Sequence, residues 1–277
     1  MSTPHESGYS TPGSATQKSV TYAGYLRVDD LLKLQVPRSS PAEHDEMLFI
    51  VIHQVYELWF KCLLHEFDKV CDDLRRGNLH GAMTTFKRSR TIMKTLVGQL
   101  DILETMTPME FSSFRDRLES ASGFQSAQFR ELEFLLGYKR AEYLNYFEAG
   151  SSGAIALARR LREPSVWDAF LDFLAKRGHA IPCAVLERNP EAATEPNEQV
   201  QEILFKLYKA ETELSLLFEL MVDFDEGLQE WRYRHVKMVE RTIGFKPGTG
   251  GSSGAEFLRR TLFRSVFPDL WAIRHRL

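Results

Sequence analysis

The stretch FIVIHQVYELWFKCLLHEF, residues 49–67, is rich in apolar and aromatic side chains that recur every three or four positions. The same periodicity runs from about Asp45 to Arg76 and ends before Gly77, a residue type that readily adopts the left-handed conformation that terminates helices. The sequence therefore predicts one long amphipathic helix with a histidine on its buried face. On an α-helix this face carries Phe49, His53, Tyr56, Phe60, Leu63 and Phe67.

Helical periodicity also dominates the rest of the chain. It predicts helices at about 80–106, on both sides of a Ser/Gly loop at 120–123, and at 166–176, 198–227 and 228–243. Thr107 before Pro108 is a typical helix start. Strand-like alternation bounded by Asn-Gly or Asp-Gly is absent from the sequence, so we predict an all-α, bundle-like fold. A further amphipathic helix is predicted to begin near Tyr22, with an apolar face of Leu26, Leu31, Leu32 and Leu34.

Composition divides the chain into a tail and a folded domain. Residues 1–19 are rich in Ser, Thr, Pro and Gly, which predicts a disordered tail, and the domain is predicted to span 20–277. Within the domain, about 148–197 contains two short helices among Gly, Pro and charged residues. We expect this segment to be a small helical insertion at the periphery.

The bulk properties exclude several function classes. The 277 residues carry a net charge of -3, which gives no general attraction to nucleic acid or to anionic membranes. The three cysteines form no CxxC motif, so neither a disulfide framework nor a structural zinc site is expected. Neither a signal peptide nor an apolar run of membrane-spanning length is found. The sequence predicts a cytoplasmic protein with no nucleic-acid or membrane partner.

Two histidines lie on predicted buried faces. Besides His53, the stretch EGLQEWRYRHVKMVERTIG, residues 226–244, places His235 on the same stripe as Trp231 and Met238. Either ring could be a neutral core residue bonded to a backbone carbonyl, or a metal ligand or pocket donor. HExxH and inward-facing ExxH spacings are absent, whereas a haem needs only one protein ligand.

A glycine-rich loop and an arginine add two candidate sites. The loop KPGTGGSSGAEFLRR, residues 246–260, allows close backbone approach and presents free amides to an anion, or it is a flexible linker. Arg115 shares a predicted helix face with Phe111 and Leu118. Its guanidinium suits a carboxylate, although an arginine reaching past apolar side chains to solvent explains the same pattern.

Four segments together resemble the tryptophan 2,3-dioxygenase family: YAGYLRVDDLL, FIVIHQVYELWFK, SGFQSAQFRELEFLLG and RHVKMVERTIGFKPGTGGSSGAEFLRR. The resemblance extends from about Tyr22 to the C-terminus and is weakest around 148–197. It implies an all-α, cytoplasmic homotetramer that binds one haem b per subunit. Such an enzyme uses L-tryptophan and O2, opens the pyrrole ring and yields N-formyl-L-kynurenine, the first step of tryptophan catabolism by the kynurenine pathway.

The resemblance also implies roles for individual residues. His235 corresponds to the ligand of the haem iron, and the remaining cofactor contacts are Ser122, Gly123 and Trp231. His53 corresponds to the catalytic residue that accepts a hydrogen bond from the indole N–H. The implied substrate-binding set is Phe49, Ile50, Val51, Ile52, His53, Phe111, Arg115, Thr249, Tyr22 and Tyr25.

Two features of the family pattern concern how the substrate pocket is completed and how the substrate carboxylate is bound. Tyr22 and Tyr25 correspond to aromatic residues that reach into the pocket of a neighbouring subunit, which would make the tetramer part of the site. Phe111 stands where some relatives have tyrosine, so a hydroxyl bond to the substrate carboxylate is missing and Arg115 would carry more of the recognition.

The sequence leaves three functional hypotheses open. The first is the dioxygenase, in which His53 either only positions the indole or also removes its proton. The second is a haem-binding sensor or carrier without turnover. The third is a helical interaction module whose inward histidines are core residues.

Overall fold

A computed structural model describes residues 19–249 and 253–277. Within these ranges the chain is helical with connecting loops and contains no β-strand, so the all-α prediction is confirmed. The predicted tail at 1–19 lies almost wholly outside the described residues. The helices are α1 Tyr22–Leu26, α2 Val28–Leu31, α3 His44–Arg75, α4 Leu79–Leu103, α5 Pro108–Arg115, α6 Ala127–Leu135, α7 Ser152–Arg162, α8 Val166–Lys176, α9 Cys183–Leu186, α10 Glu198–Ala210, α11 Thr212–Ile243, α12 Ala255–Arg259 and α13 Pro268–Ala272.

The long helices α3, α4 and α11 form the centre of the fold, and α3 has the bounds that its periodicity predicts. Their apolar stripes meet in a core where the ring of Phe67 contacts Phe86 and Phe224 edge-on, with centroids 5.5 and 4.8 Å apart. All three rings are fully buried. Burying such large apolar faces favours folding.

Helix α5 starts as the sequence predicts. The Thr107 hydroxyl accepts a hydrogen bond from the Glu110 amide, and the Glu110 carboxylate accepts one from the Thr107 amide at 2.7 Å. This reciprocal cap satisfies two amides that would otherwise lack partners. Short 3-10 turns at 116–118 and 123–125 then connect α5 to α6, with the predicted Ser/Gly loop between them.

Two predicted boundaries are wrong. The helix expected from Tyr22 is split into α1 and α2 because Arg27 adopts a left-handed conformation with φ of 53°. The break expected between 227 and 228 lies at Glu211, which is extended, while Gly227 is inside α11. A Cβ at Gly227 would lie 2.9 Å from Met93 Cγ, so this glycine allows close packing against α4. The leucines expected on a buried face near the N-terminus are exposed: Leu26, Leu31, Leu32 and Leu34.

The segment 148–197 packs differently from expectation. It contains α7, α8 and α9, and α8 places Trp167, Phe170 and Phe173 in the main core with almost no exposed surface. This helix is therefore not peripheral. The described residues divide into two compact units, one that ends at Val36 and one that begins at Pro37.

Helix α3 is the one described helix that is long and apolar enough to cross a membrane by length and composition. A single helix of this kind is weak evidence, because the central helices of folded domains have the same features. Here Phe60, Leu63 and Phe67 of α3 are buried in the protein core.

Asp225 of α11 binds the C-terminal segment, and its replacement is expected to destabilise the fold. Its Oδ2 accepts hydrogen bonds from the amides of Val266 and Phe267 and from Trp271 Nε1, at 2.9 to 3.0 Å. Asp225→Ala leaves these buried donors without partners, so we expect a loss of about 3 kcal/mol in unfolding free energy. Urea denaturation followed by circular dichroism measures this loss.

The matched control is Asp223→Ala on the same helix. Asp223 pairs with Arg90 and is more than a third exposed, so its loss should cost less than about 1 kcal/mol. Equal destabilisation by the two variants would contradict the role assigned to Asp225.

Candidate functional site

A cavity with two adjoining lobes lies between α3, α11 and the loops after α5 and α11. The lobes have volumes of about 170 and 100 Å³. His53 of α3 and His235 of α11 line both lobes, as do Leu103 and Phe124. Two histidines that are far apart in the sequence therefore meet at one apolar cavity.

His53 is held as a neutral hydrogen-bond acceptor. Its Nδ1 lies 2.7 Å from the backbone oxygen of Phe49, and since a carbonyl only accepts, Nδ1 carries the proton. Burial lowers the pKa of His53, although the Phe49 carbonyl and Glu57 act in the opposite direction. At neutral pH the Nε2 lone pair is therefore free to accept a hydrogen bond from a ligand.

The ring of His235 has no hydrogen-bond partner in the described part of the chain. Burial, together with the smaller effects of the nearby His53 and Arg130, lowers its pKa to about 4. The indole of Trp231 stacks on it, with centroids 5.0 Å apart and planes at 10°. Neither nitrogen of His235 hydrogen-bonds to any residue within 19–249 or 253–277. A neutral imidazole of this kind has a lone pair available for a metal ion.

The residues around His235 fit an iron porphyrin. The second lobe has aromatic and aliphatic walls, which suit a flat apolar ring, and one imidazole is enough to hold haem iron. In the described part of the chain, no group of three or more His, Cys, Asp or Glu side chains could hold a metal ion by itself. The apolar walls of this lobe are Phe60, Leu100, Leu103, Phe129 and Trp231.

The first lobe ends at two polar side chains that connect α5 to the glycine loop. Arg115 Nη2 donates to the backbone oxygen of Pro247 at 2.7 Å, and Thr249 Oγ1 donates to that of Ala121 at 2.5 Å. Arg115 has further N–H groups for a carboxylate. The arrangement places a cation and a hydroxyl at one end of an otherwise apolar space.

Aromatic rings form the wall between this polar end and His53. The Phe49 ring lies 4.1 Å from the His53 ring and 5.7 Å from that of Phe111, measured between centroids. Phe111 lines the lobe beside Arg115, as the sequence predicts, and offers no hydroxyl. An amphipathic ligand with a flat ring and a carboxylate matches this surface.

At the end of the glycine loop, the backbone of Gly254 packs closely against that of Lys246. Gly254 has a φ of 64°, and a Cβ there would lie 2.6 Å from the Lys246 oxygen, so only glycine fits. Gly254 and Thr249 both line the first lobe. The anion site expected at 252–255 includes Ser252, which lies outside the described residues.

The structure places most of the predicted site residues at the cavity. Ser122 and Gly123 line the first lobe and Trp231 lines the second. Tyr22 and Tyr25 lie in α1 within the 1–36 unit and are exposed.

Three members of the predicted substrate set that lie in α3 do not line the cavity. They lie between Phe49 and His53, where successive helical residues turn by about 100° and point away from the shared face. Ile52 is buried in the core instead, and Val51 is exposed. The three residues are Ile50, Val51 and Ile52.

Sequence reasoning missed other lining residues. Met238 lies three positions after His235 on the same stripe, which was a usable signal. Phe257 and Leu258 follow the glycine loop, and their place at the cavity depends on how that loop folds back. Arg130 of α6 also lines the second lobe.

Comparison with known proteins identifies related sequences along most of this chain. A family model described as tryptophan 2,3-dioxygenase matches residues 7–156 and 198–277. A protein named tryptophan 2,3-dioxygenase from Herpetosiphon aurantiacus is 55% identical over 257 residues, which cover 93% of this chain and 98% of that protein. The protein of the same name from Anaeromyxobacter sp. (strain K) is 52% identical, and the match covers 96% of this chain and 100% of that protein. The protein of the same name from Xanthomonas campestris pv. campestris (strain B100) is 42% identical, and the match covers 92% of this chain and 87% of that protein.

The matched segments contain every residue that lines the two lobes, and the unmatched segment 157–197 between them supplies none. Relatives of this similarity and coverage share the whole fold. The chain belongs to the tryptophan 2,3-dioxygenase family.

Proposed function

We propose that this chain catalyses the opening of the indole ring of L-tryptophan by O2 and forms N-formyl-L-kynurenine. Both oxygen atoms enter the product. Family membership supports this activity. The structural observation that carries it is a single cavity with three features: His235 without a hydrogen-bond partner among the described residues, a neutral acceptor at His53 and the cation of Arg115.

The cofactor of this activity is haem b, one per subunit. His235 would hold its iron, and Trp231, Ser122 and Gly123 would contact the cofactor. When bound, the haem supplies the iron that makes O2 reactive toward the indole. The lack of a hydrogen-bond partner for His235 within the described residues supports this role.

The protein orients the amino acid at three points. Arg115 binds the carboxylate, Thr249 binds the ammonium and carboxylate end, and His53 accepts a hydrogen bond from the indole N–H. Phe49 and Phe111 pack on the ring and exclude water. Fixing a substrate in a reactive orientation is a large part of the catalytic effect in such a site.

His53 acts as a positioning group in this proposal. The Phe49 carbonyl fixes the proton on Nδ1, so Nε2 accepts the N–H without rearrangement. The lowered pKa makes the ring a weak base, and the indole N–H is a very weak acid. Proton removal by His53 therefore contributes little.

The assembly is a cytoplasmic homotetramer with no nucleic-acid or membrane partner. Tyr22 and Tyr25 complete the pocket of a neighbouring subunit. Their exposure in α1, together with that of nearby leucines, supports a role in contacts between chains. The three free cysteines suit a reducing compartment.

The activity is tested by reconstituting the protein with haemin, reducing it and adding L-tryptophan with isotopically labelled O2. We expect N-formyl-L-kynurenine whose mass shows two labelled oxygen atoms. A haem spectrum that shifts with tryptophan but gives no product would favour a sensor or carrier. Protein that binds no haem would favour the structural module.

A further inference from the structure

A cluster of buried charges lies beside the second lobe of the cavity. We call Arg130, Glu133, Arg140 and Arg232 the arginine cluster. Arg130, Glu133 and Arg232 are only 4%, 1% and 3% exposed. Arg130 Nη1 donates to one oxygen of Glu133 at 2.6 Å, and Arg232 Nη2 donates to the other at 2.8 Å. Two guanidiniums therefore bond to one buried carboxylate, and that of Arg140 acts on it through its charge.

The carboxylate itself is ionised. Burial raises the pKa of Glu133, but the guanidiniums of Arg130, Arg232 and Arg140 outweigh this effect and hold it below its usual range. Three positive charges against one negative charge leave an excess of two positive charges in the cluster. The other carboxylate near Arg140 is that of Glu142, which is exposed. An excess of buried positive charge is costly without an anion.

Each arginine of the cluster has a buried guanidinium nitrogen without a hydrogen-bond partner in the described part of the chain, and Arg130 is one that lines the second lobe. Arg130 Nη1 bonds to Glu133, its Nε is buried without a hydrogen-bond partner, and its Nη2 bonds to no residue in the described ranges. The rings of Phe124, Phe129 and Tyr143 lie 5.2, 5.3 and 4.4 Å from the guanidinium carbon. Aromatic faces attract a cation but do not replace a hydrogen-bond acceptor. The guanidinium therefore still has N–H groups available for an oxyanion.

The position of Arg130 indicates which anion it meets. It lines the second lobe together with His53, His235 and the apolar walls. Arg115 and Thr249 line the first lobe only, so the substrate carboxylate is bound elsewhere. An anion in the second lobe thus belongs to a ligand with a large apolar body. A porphyrin with its propionate side chains has this chemistry.

We propose that Arg130 binds a propionate carboxylate of the porphyrin and that Glu133 and Arg232 hold its guanidinium in place. This inference rests on the proposed function, because it requires a porphyrin in the cavity. The charge-assisted bond provides orientation as well as affinity, because it fixes which edge of the ring enters beside α6.

The test compares two cofactors and three proteins. Apoprotein is titrated with haemin and with haemin dimethyl ester, in which both carboxylates are blocked, and binding is followed by the Soret absorption. We expect the wild type to bind haemin about tenfold or more tightly than the ester. Arg130→Gln should lose most of this preference, while Glu133 keeps Arg232 as its partner. Arg159→Gln, an exposed arginine outside the cavity, should retain it.

Each result decides the inference. Equal affinity of the wild type for haemin and its ester overturns it without any variant. Full preference retained in Arg130→Gln also overturns it, because another group would then bind the carboxylate. If Arg130→Gln does not fold, Arg130→Lys keeps a positive charge but lacks the fork, and its preference should fall severalfold. Failure of the wild type to bind either porphyrin would instead overturn the proposed function, and this inference with it.

Discussion

His235→Ala is expected to abolish stable haem binding and, with it, all dioxygenase activity. The ring is a neutral imidazole at the second lobe with no hydrogen-bond partner in the described residues, and alanine offers no lone pair to the iron. Residues that merely support a metal ligand change affinity by about 10 to 100-fold, so loss of the ligand should weaken haem binding at least about 100-fold. Titration of apoprotein with haemin measures this change.

Two controls make the result specific. His65→Ala removes an exposed histidine of the same helix as His53 and should leave the Soret absorption unchanged. Free imidazole should partly restore the spectrum of His235→Ala, because it can enter the space left by the side chain. Unchanged haem affinity in His235→Ala would show that the iron ligand is another residue.

The long helices were predictable because their apolar stripes are continuous. Each turn of α3 and α11 places a large side chain on the core face, and this signal needs no tertiary information. The break at Glu211 carried no such signal. Gly227 looked like a helix end, yet its position is explained by the Met93 side chain of α4, a contact made only in the folded chain.

In the N-terminal segment, the apolar face was predicted from its spacing, but its exposure was not. The leucines near Tyr22 have helical spacing, and this spacing normally indicates a face buried within the same chain. In the structure these side chains are exposed and Arg27 interrupts the helix. A periodic pattern reports that a face is apolar, but it does not tell which surface covers that face.

Some residues of the candidate site could be predicted from the sequence, and others could not. His53 and His235 stood out because histidine is unusual on an apolar stripe, and the resemblance supplied their roles. Arg130 did not stand out, because an arginine three positions before a glutamate on a helix usually forms a solvent-exposed ion pair. Its burial depends on α11, which brings Arg232 to the same carboxylate.

Arg115→Lys is expected to weaken tryptophan binding about 10 to 100-fold and to leave the haem spectrum unchanged. A carboxylate binds a guanidinium through two parallel hydrogen bonds, and an ammonium group cannot reproduce this geometry. Loss of one charge-assisted bond costs about 1.5 to 3 kcal/mol, which corresponds to this range. Phe111 has no hydroxyl that could compensate. Tryptophan-induced changes in the haem spectrum measure the affinity.

Tryptamine, which has the indole and the amine but no carboxylate, separates the role of Arg115 from general damage. The wild type should discriminate strongly between L-tryptophan and tryptamine, and Arg115→Lys should lose most of this discrimination while binding tryptamine almost normally. Arg117→Lys changes an exposed arginine two positions away and should behave as the wild type. Equal weakening of both ligands in Arg115→Lys would mean that Arg115 supports the loop through the Pro247 oxygen and does not bind the carboxylate.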